Sequence, residues 1–384
     1  MEKLYRLLPQ PPLWQIPWER SLEILGPLKQ DMENTPQNPR WHAEGDVLAH
    51  TRFVCQELAK MDTFRNADRK TQLMLYLAAL FHDVGKTKVT ILEDGQWTSR
   101  GHTRVSAEMT RRVLWQDLGL CGTKEKQNLR ETVCMLIRRH SVPPYAVENE
   151  DGRLQLIRFA SNGTLTDFSI RLLCDLSEAD ARGRICEDQE DMLERIDLCR
   201  ELAKEANCYE KPYPFPTEHT AYAYCARKNI SPDYPLFDDT WGQVILLSGL
   251  PGTGKDTWIR ENCPELPVVS LDAIRKAHRI SPEDPQEQVA QLAREQAREL
   301  LRQKKSFVWN ATNITSQTRR KLIELFRDYG AAVKIVFLET DWEEQLRRNA
   351  QRRDAVPEQA ICAMLEKLTP PERYEAHSVQ WICI

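Results

Sequence analysis

The sequence has no long apolar run. Runs such as Val244 to Leu247 and Val333 to Leu338 are the length of core strands, and even Leu73 to Phe81 is far below a membrane span. It opens MEKLYRLLPQPPLW, without the charged-then-apolar design of a secretory leader. No charge dominates: 53 Lys+Arg against 57 Asp+Glu give a net charge of −4. That excludes a strongly basic nucleic-acid coating protein, but not an enzyme that grips a strand in one local groove. None of the 11 cysteines forms a CxxC pair, which predicts reduced, buried thiols rather than a disulfide framework. Internal repeats and low-complexity tracts are also missing. These absences predict a soluble, cytoplasmic protein with no membrane partner.

What is present is globular. Hydrophobic residues make up 41% of 384, and at roughly 150 residues per domain the length suggests two or three domains. Over the first 206 residues, segments such as Leu73 to His82, Ser106 to Leu118, Thr132 to Arg139 and Asp188 to Glu205 place apolar positions three and four apart. This predicts an all-helical domain over residues 1–206 with almost no strand. Tyr209, Pro212, Tyr213, Pro214, Phe215 and Pro216 then mark an extended Pro/Tyr-rich linker over 207–240. From 241 to 384 the pattern alternates. Strand-like runs at Val244 to Ser248, Pro267 to Leu271, Phe307 to Asn310 and Ala332 to Leu338 are separated by helical stretches at Gln286 to Lys304 and Ser316 to Tyr329. Such alternation predicts an α/β domain, a parallel sheet with helices on both faces.

The first of these strands runs into Gly249-Leu-Pro-Gly252-Thr253-Gly254-Lys255-Asp256-Thr257, which opens a helix. Glycines there let backbone N–H groups curl around phosphates, and Lys255 reaches the β/γ oxygens of a nucleotide. The residue after such a lysine is ordinarily Ser or Thr, for Mg²⁺. Here it is Asp256, a competent ligand in its own right, with Thr257 next, so either side chain could hold the ion. The second strand leads to Asp272 and, three residues on, Arg275. A carboxylate at that end of a parallel sheet could take a proton from an attacking hydroxyl, and the arginine could orient the acceptor or a phosphate. Asn310-Ala-Thr312-Asn313 ends the third strand. Arg347-Arg348-Asn349-Ala-Gln-Arg352-Arg353-Asp-Ala-Val-Pro357 carries arginines four apart that could fold over ATP.

Five of the eight histidines fall between residues 42 and 140. His50 lies in Asp46-Val-Leu-Ala-His50-Thr51, His82 and Asp83 in His82-Asp83-Val-Gly-Lys86, and His102 follows Gly101. His140 ends Arg138-Arg139-His140, and Asp180 opens Asp180-Ala-Arg-Gly-Arg184. Each sits at the end or edge of a separate predicted helix, as in bundles that build di-metal sites from facing helices. Imidazole and carboxylate together suit Mn, Fe, Co, Ni, Cu or Zn. Lys86 and Arg184, three or four residues beyond their carboxylates, face the same way and could bind phosphate. His42 and Asp175 are nearby alternatives, the first read as supporting and the second as an ordinary helix residue.

Two resemblances follow from these motifs. GxxGxGK, Asp-x-x-Arg, the Thr-Asn strand end and Arg-Asn-x-x-Arg…Val-Pro, over about residues 242–370, resemble the 5′-OH polynucleotide kinases of phage and bacterial end-healing systems. That resemblance implies ATP or another NTP with Mg²⁺, Lys255 on phosphate, and Asp272 as general base on the 5′-OH. It also implies Arg275 at the acceptor end and Arg348 and Arg352 as lid arginines. Asn310 departs from relatives that carry an acidic residue there, and its role stays open. The order His…His-Asp…His…His…Asp, with GDVLAHT, FHDVGK and ADARGR, resembles the HD phosphohydrolases, in particular the HD domains of tRNA-maturation enzymes. It implies two ions, one on His50, His82, Asp83 and Asp180, the other on Asp83, His102 and His140. Joined in one chain, the two halves resemble the bacterial HD-Pnk end-healing enzymes. The implied substrates are RNA or DNA ends bearing 5′-OH and 2′,3′-cyclic or 3′-phosphate, prepared for a ligase. The alternative is an HD nucleotidase fused to a nucleoside or metabolite kinase.

Overall fold

The computed structural model describes residues 1–226, 230–281, 284–352 and 354–384. The chain divides into two compact units. One comprises Met1–Leu120 and Gln127–Tyr213, the other Cys121–Lys126 and Pro214–Ile384. No helix among the described residues is long and apolar enough to cross a membrane. All eleven cysteines are thiols outside any disulfide, eight of them buried.

The first unit is helical. Asp46 caps α1 (Val47–Lys60) by accepting from the Ala49 N–H, and Asp68 caps α2 (Arg69–Phe81) by accepting from Lys70 and Thr71. Every residue of α2 from Gln72 to Phe81 is buried, so this helix forms the middle of the core rather than one amphipathic side of it. Truncating a ring such as Phe81 there would cost about 3–5 kcal/mol. Beyond it, β1 (Ile91–Glu93) and β2 (Gln96–Thr98) form an antiparallel hairpin over Asp94 and Gly95, both with positive φ. The helical periodicity did not anticipate this hairpin, although Asp-Gly is a turn signal in its own right. Next come α3 (His102–Arg112), continued by a π-helical turn Val113–Asp117, then α4 (Lys124–Arg139), α5 (Ile170–Arg182) and α6 (Gln189–Glu205). α5 packs on α1, α2 and α6. Fully buried Glu131 accepts from the Nε groups of Arg111 and Arg130, and Arg130 lies 3.8 Å above the Trp115 ring. Paired in this way, three charges sit in the core without an orphan.

In the second unit the stretch expected as a linker holds a helix, α7 (Glu218–Ala226), begun after Pro216 by Thr217, whose hydroxyl accepts from Thr220 N–H. The strands are β3 (Gln243–Ser248), β4 (Val268–Ser270), β5 (Phe307–Asn310), β6 (Ala332–Glu339) and β7 (Ser378–Cys383). They form one parallel sheet among the described residues, in the order β4-β5-β3-β6-β7. The edge strand β7 was not anticipated. Ile245, Leu247, Val308, Val336 and Leu338 cover one face and pack against Trp258 and Ile259 of α8 (Lys255–Asn262). On the other face Phe307 and Trp309 meet Phe326 of the helix that follows α9 (Leu271–His278) and α10 (Glu287–Arg302). α11 spans Ser316–Asp328, and α12 (Trp342–Ala350) and α13 (Glu358–Glu366) follow β6. Alternate residues of each strand therefore feed two helical layers, as period-2 side chains require.

Candidate metal centre and phosphate-binding loop

In the helical unit the structure brings all six candidate ligands to one buried spot. His50 stands on α1, His82 and Asp83 where α2 ends, His102 at the start of α3, His140 just past α4, and Asp180 on α5. Asp83 is their centre. Its Oδ2 lies 3.2 Å from His82 Nε2 and 3.7 Å from His50 Nε2, and its Oδ1 lies 3.3 Å from His102 Nε2 and 3.9 Å from His140 Nε2. Asp180 Oδ1 stands 3.0 Å from His50 Nε2 and 3.8 Å from His82 Nε2.

Backbone geometry fixes which ring nitrogen is free. Ala79, Ser99 and Ile137 offer carbonyls to the Nδ1 atoms of His82, His102 and His140 at 2.8, 2.9 and 2.8 Å. With Nδ1 donating, the lone pair of each neutral ring falls on Nε2, the atom aimed at Asp83. Yet Asp83 Oδ1 is buried with no hydrogen-bond donor among the described residues, and His50 Nε2 faces His82 Nε2 at 3.3 Å. A cluster of acceptors turned toward one another fits divalent cations, with mixed imidazole and carboxylate donors suited to a transition metal. Burial opposes protonation of His140, holding it down at about 3, and also lowers His102. Burial opposes charge on His82 and Asp83 as well, but without a cation Asp83 and Asp180 raise His82, and charged His82 with Lys86 holds the Asp83 carboxyl well below its usual range, a role a bound ion would take over.

Two cations flank the cluster. Lys86 Nζ donates to Asp83 Oδ2 at 2.7 Å and to Gln37 Oε1 at 2.6 Å, and Arg184 grips Asp180 at 2.7 Å. His42 is no ligand to Asp83. It packs edge-on against His50, and its Nδ1 lies 2.8 Å from Glu44 Oε1, which is 2.7 Å from His50 Nδ1. Asp175 is elsewhere, between Arg171 and Arg200. Sequence reasoning missed Glu44 and Gln37, because both lie in the irregular stretch ahead of α1, where no helical pattern marks them, even though Glu44 directly precedes GDVLAHT.

In the α/β unit the loop after β3 enters α8 through Gly249, Gly252 and Gly254, all with positive φ. A Cβ on Gly252 would lie 2.6 Å from the Gln345 carbonyl of α12, so space as well as φ demands glycine there. Lys255 Nζ curls back onto the Gly249 and Leu250 carbonyls at 2.9 and 2.8 Å. Burial lowers it to about 8, against the pull of Asp256. Thr253 is buried and bonds the Leu250 carbonyl. Asp256 is exposed and accepts from Asn310 Nδ2 at 2.7 Å. Thr257 is not brought in: one residue further round the helix, its hydroxyl accepts from Arg260 on the exposed side.

Past the end of β4, on the far side of β5 from the P-loop strand, Asp272 pairs with Arg275 and lies 3.5 Å from Arg352. Arg275 Nε also donates to Gln286 at 2.7 Å. Arg348, held by Glu344 at 2.6 Å, places a guanidinium nitrogen 3.5 Å from where a Gly254 Cβ would stand. Arg353 lies outside the described residues. Lysine, carboxylates and arginines thus gather where β3, β4 and β5 end, the ligand side of an open parallel sheet.

Residues 47–162 match the HD domain family, and residues 244–371 match a family described as AAA domain. The chain therefore carries a helical HD domain followed by a P-loop kinase-like domain. It is similar to heterogeneous nuclear ribonucleoprotein U-like protein 2 of Homo sapiens, 26% identical over 198 residues, covering 46% of this chain and 26% of the human protein. It is also similar to L-seryl-tRNA(Sec) kinase of Methanococcus maripaludis, 25% identical over 139 residues, covering 34% of this chain and 54% of the kinase. The chain thus spans between about a quarter and about half of these relatives' lengths. Among solved structures, Kti12 of Chaetomium thermophilum in complex with ADP-AlF3 aligns at 16% identity with a TM-score of 0.27, over 36% of this chain and 88% of that one.

Proposed function

We propose that the chain is a bifunctional nucleic-acid end-healing enzyme. Its P-loop domain phosphorylates a 5′-OH with ATP–Mg²⁺, and its HD domain removes 2′,3′-cyclic or 3′-phosphate with two transition-metal ions. The observation that carries this reading is one chain with two phosphate sites of opposite chemistry, a P-loop beside a carboxylate–arginine pair and a histidine–carboxylate cradle flanked by Lys86 and Arg184.

In the kinase, Lys255 leaves the loop carbonyls for the β/γ-phosphates. Asp272, next to the acceptor, takes the proton from the attacking hydroxyl, while Arg275 orients the strand end. Arg348 and Arg352 lie against the transferring phosphoryl and offset its charge. The Asp272 side chain is 62% exposed. A hydroxyl at the tip of a long strand can reach it without threading, which favours a polynucleotide acceptor over a small metabolite in a closed cleft. The Methanococcus maripaludis relative is, by its name, a kinase of an aminoacylated tRNA, which supports an RNA-borne acceptor.

In the hydrolase, metal ions held by the cradle would supply Lewis acidity for water activation and for charge on the phosphoester. His50, His82 and Asp180 would hold one ion and His102 and His140 the other, with Asp83 contributing to each set. Lys86 and Arg184 anchor the non-bridging phosphate oxygens, exchanging part of their grip on Asp83 and Asp180 for the substrate. Product ends of both reactions suit a ligase.

The test uses one RNA oligonucleotide bearing 5′-OH and 2′,3′-cyclic phosphate, with ATP, Mg²⁺ and Mn²⁺ or Ni²⁺, both ends read by mass spectrometry. Gain of 5′-phosphate with loss of the 3′-terminal phosphate supports the proposal. Unchanged ends, with free nucleosides or nucleotides phosphorylated or hydrolysed instead, would transfer it to a metabolite enzyme.

A further inference from the structure

P-loop enzymes ordinarily hold the nucleotide's Mg²⁺ with the Ser/Thr hydroxyl that follows the lysine and an aspartate from another strand. In this chain the carboxylate stands after the lysine and an amide stands at the end of the neighbouring strand. The residue after Lys255 is Asp256, and β5, the parallel neighbour of the P-loop strand, ends in Asn310. Asn310 is 9% exposed and donates its amide hydrogen to Asp256 Oδ1 at 2.7 Å, across 54 residues of sequence. A second carboxylate at 310 would put two like charges at that distance, where both cannot stay ionised. The pair is therefore built for one carboxylate, on the helix side. The remaining hydroxyl, that of Thr257, is turned to Arg260 and solvent.

We infer that Asp256 is the protein ligand of the nucleotide's divalent cation, and that Asn310 is a positioning residue that aims it. The inference rests on the kinase reading of the P-loop. It carries a consequence that a hydroxyl ligand lacks. An ionised Asp256 beside the triphosphate repels nucleotide when no cation is present and attracts it through the cation when one is. Nucleotide affinity in this enzyme is accordingly more metal-dependent than in a Ser/Thr P-loop, by roughly ten- to a hundredfold for one added charge at close range in a half-exposed site. Freed of its amide partner, Asp256 keeps the charge but loses its aim, so the two residues leave different signatures.

The experiment is calorimetric titration of the full chain with the β,γ-imido analogue of ATP, in MgCl₂ and in EDTA. For the wild type the Mg²⁺ medium should give the tighter binding by a wide ratio. Asp256→Ser should shrink that ratio about tenfold or more, and do so partly by binding more tightly in EDTA, a gain that a merely misfolded loop cannot produce. Asn310→Leu should leave the EDTA affinity unchanged and weaken the Mg²⁺ response several-fold. The double variant Asp256→Ser/Asn310→Asp, which restores the usual order of ligands, should recover the wild-type Mg²⁺ affinity to within a few-fold. An unchanged ratio in Asp256→Ser, or its collapse in Thr257→Ala, overturns the assignment while leaving the kinase reading intact. A wild-type protein that binds the analogue in neither medium overturns the kinase reading and the assignment with it.

Discussion

Gly85 offers a way to disable one half of the metal centre. It follows Asp83 by two residues, and its φ of −67° is ordinary helical backbone, so no conformational strain argues for glycine there. Space does. A Cβ at this position would lie 2.3 Å from Ser106 N, 2.6 Å from the His102 carbonyl and 2.8 Å from Ser106 Oγ, where ordinary contact begins near 3.4 Å. Gly85→Ala must therefore push α3 away by on the order of 1 Å, against interiors that relax only partly. His102 opens α3, with Nε2 only 3.3 Å from Asp83 Oδ1, whereas metal sites tolerate ligand displacements of about 0.2 Å. His50, His82 and Asp180 stand on other helices and keep their places. Gly85→Ala is thus expected to lower bound metal from two ions per chain toward one, to reduce 3′-phosphate removal by at least about 10²-fold, and to cost about 1–3 kcal/mol of overpacking. Elemental analysis of reconstituted protein, together with single-turnover hydrolysis, reads both effects, while far-UV circular dichroism serves as the folding control for the helical unit. Two ions and a wild-type hydrolysis rate in Gly85→Ala would refute the reasoning.

Further predictions follow from the same geometry. Burial raises the Asp175 carboxyl to about 6, so its ionisation opposes folding fully above that pH and fades as pH falls toward the unfolded value of 3.8. Asp175→Asn should then raise the unfolding free energy measured in urea at pH 7.5, by up to about 3 kcal/mol less its bonds to Arg171 and Arg200, with little gain near pH 4; an equal gain at both would contradict this. Lys86→Met should raise KM for a 3′-phosphorylated oligonucleotide about tenfold or more with bound metal little changed, and equal loss of metal would make Lys86 structural. Arg319 is fully buried and held by both oxygens of Glu375 and by the Asn313 and Thr369 carbonyls, so Arg319→Met should destabilise the α/β unit by about 3–5 kcal/mol in chemical denaturation.

What could be read from the chain alone was the part that chemistry forces on residue type. Histidines and carboxylates at successive helix ends, and glycines between a strand and a lysine-started helix, have few other reasons to occur in those contexts. Their supports were not readable. Glu44 reaches His42 and His50 from an irregular segment, Gln37 reaches Lys86 across 49 residues, and Asn310 finds Asp256 only once β3 and β5 pair. Short elements escaped for another reason. β1 and β2 have three residues each, too few to display alternation, and only the Asp94-Gly95 turn signalled them. In α7, prolines just upstream obscured the Thr217 start signal. Thr257 looked equivalent to Asp256 in sequence, and the turn of one helical residue separates them.

The most direct test of the two-site account sets Lys255→Ala and Asp83→Ala side by side on one RNA oligonucleotide with 5′-OH and 2′,3′-cyclic phosphate. The account predicts that Lys255→Ala still clears the 3′ end and leaves the 5′-OH untouched, while Asp83→Ala still adds the 5′-phosphate and leaves the 3′ end blocked. Loss of both activities in either variant, with the protein folded by circular dichroism, would contradict it.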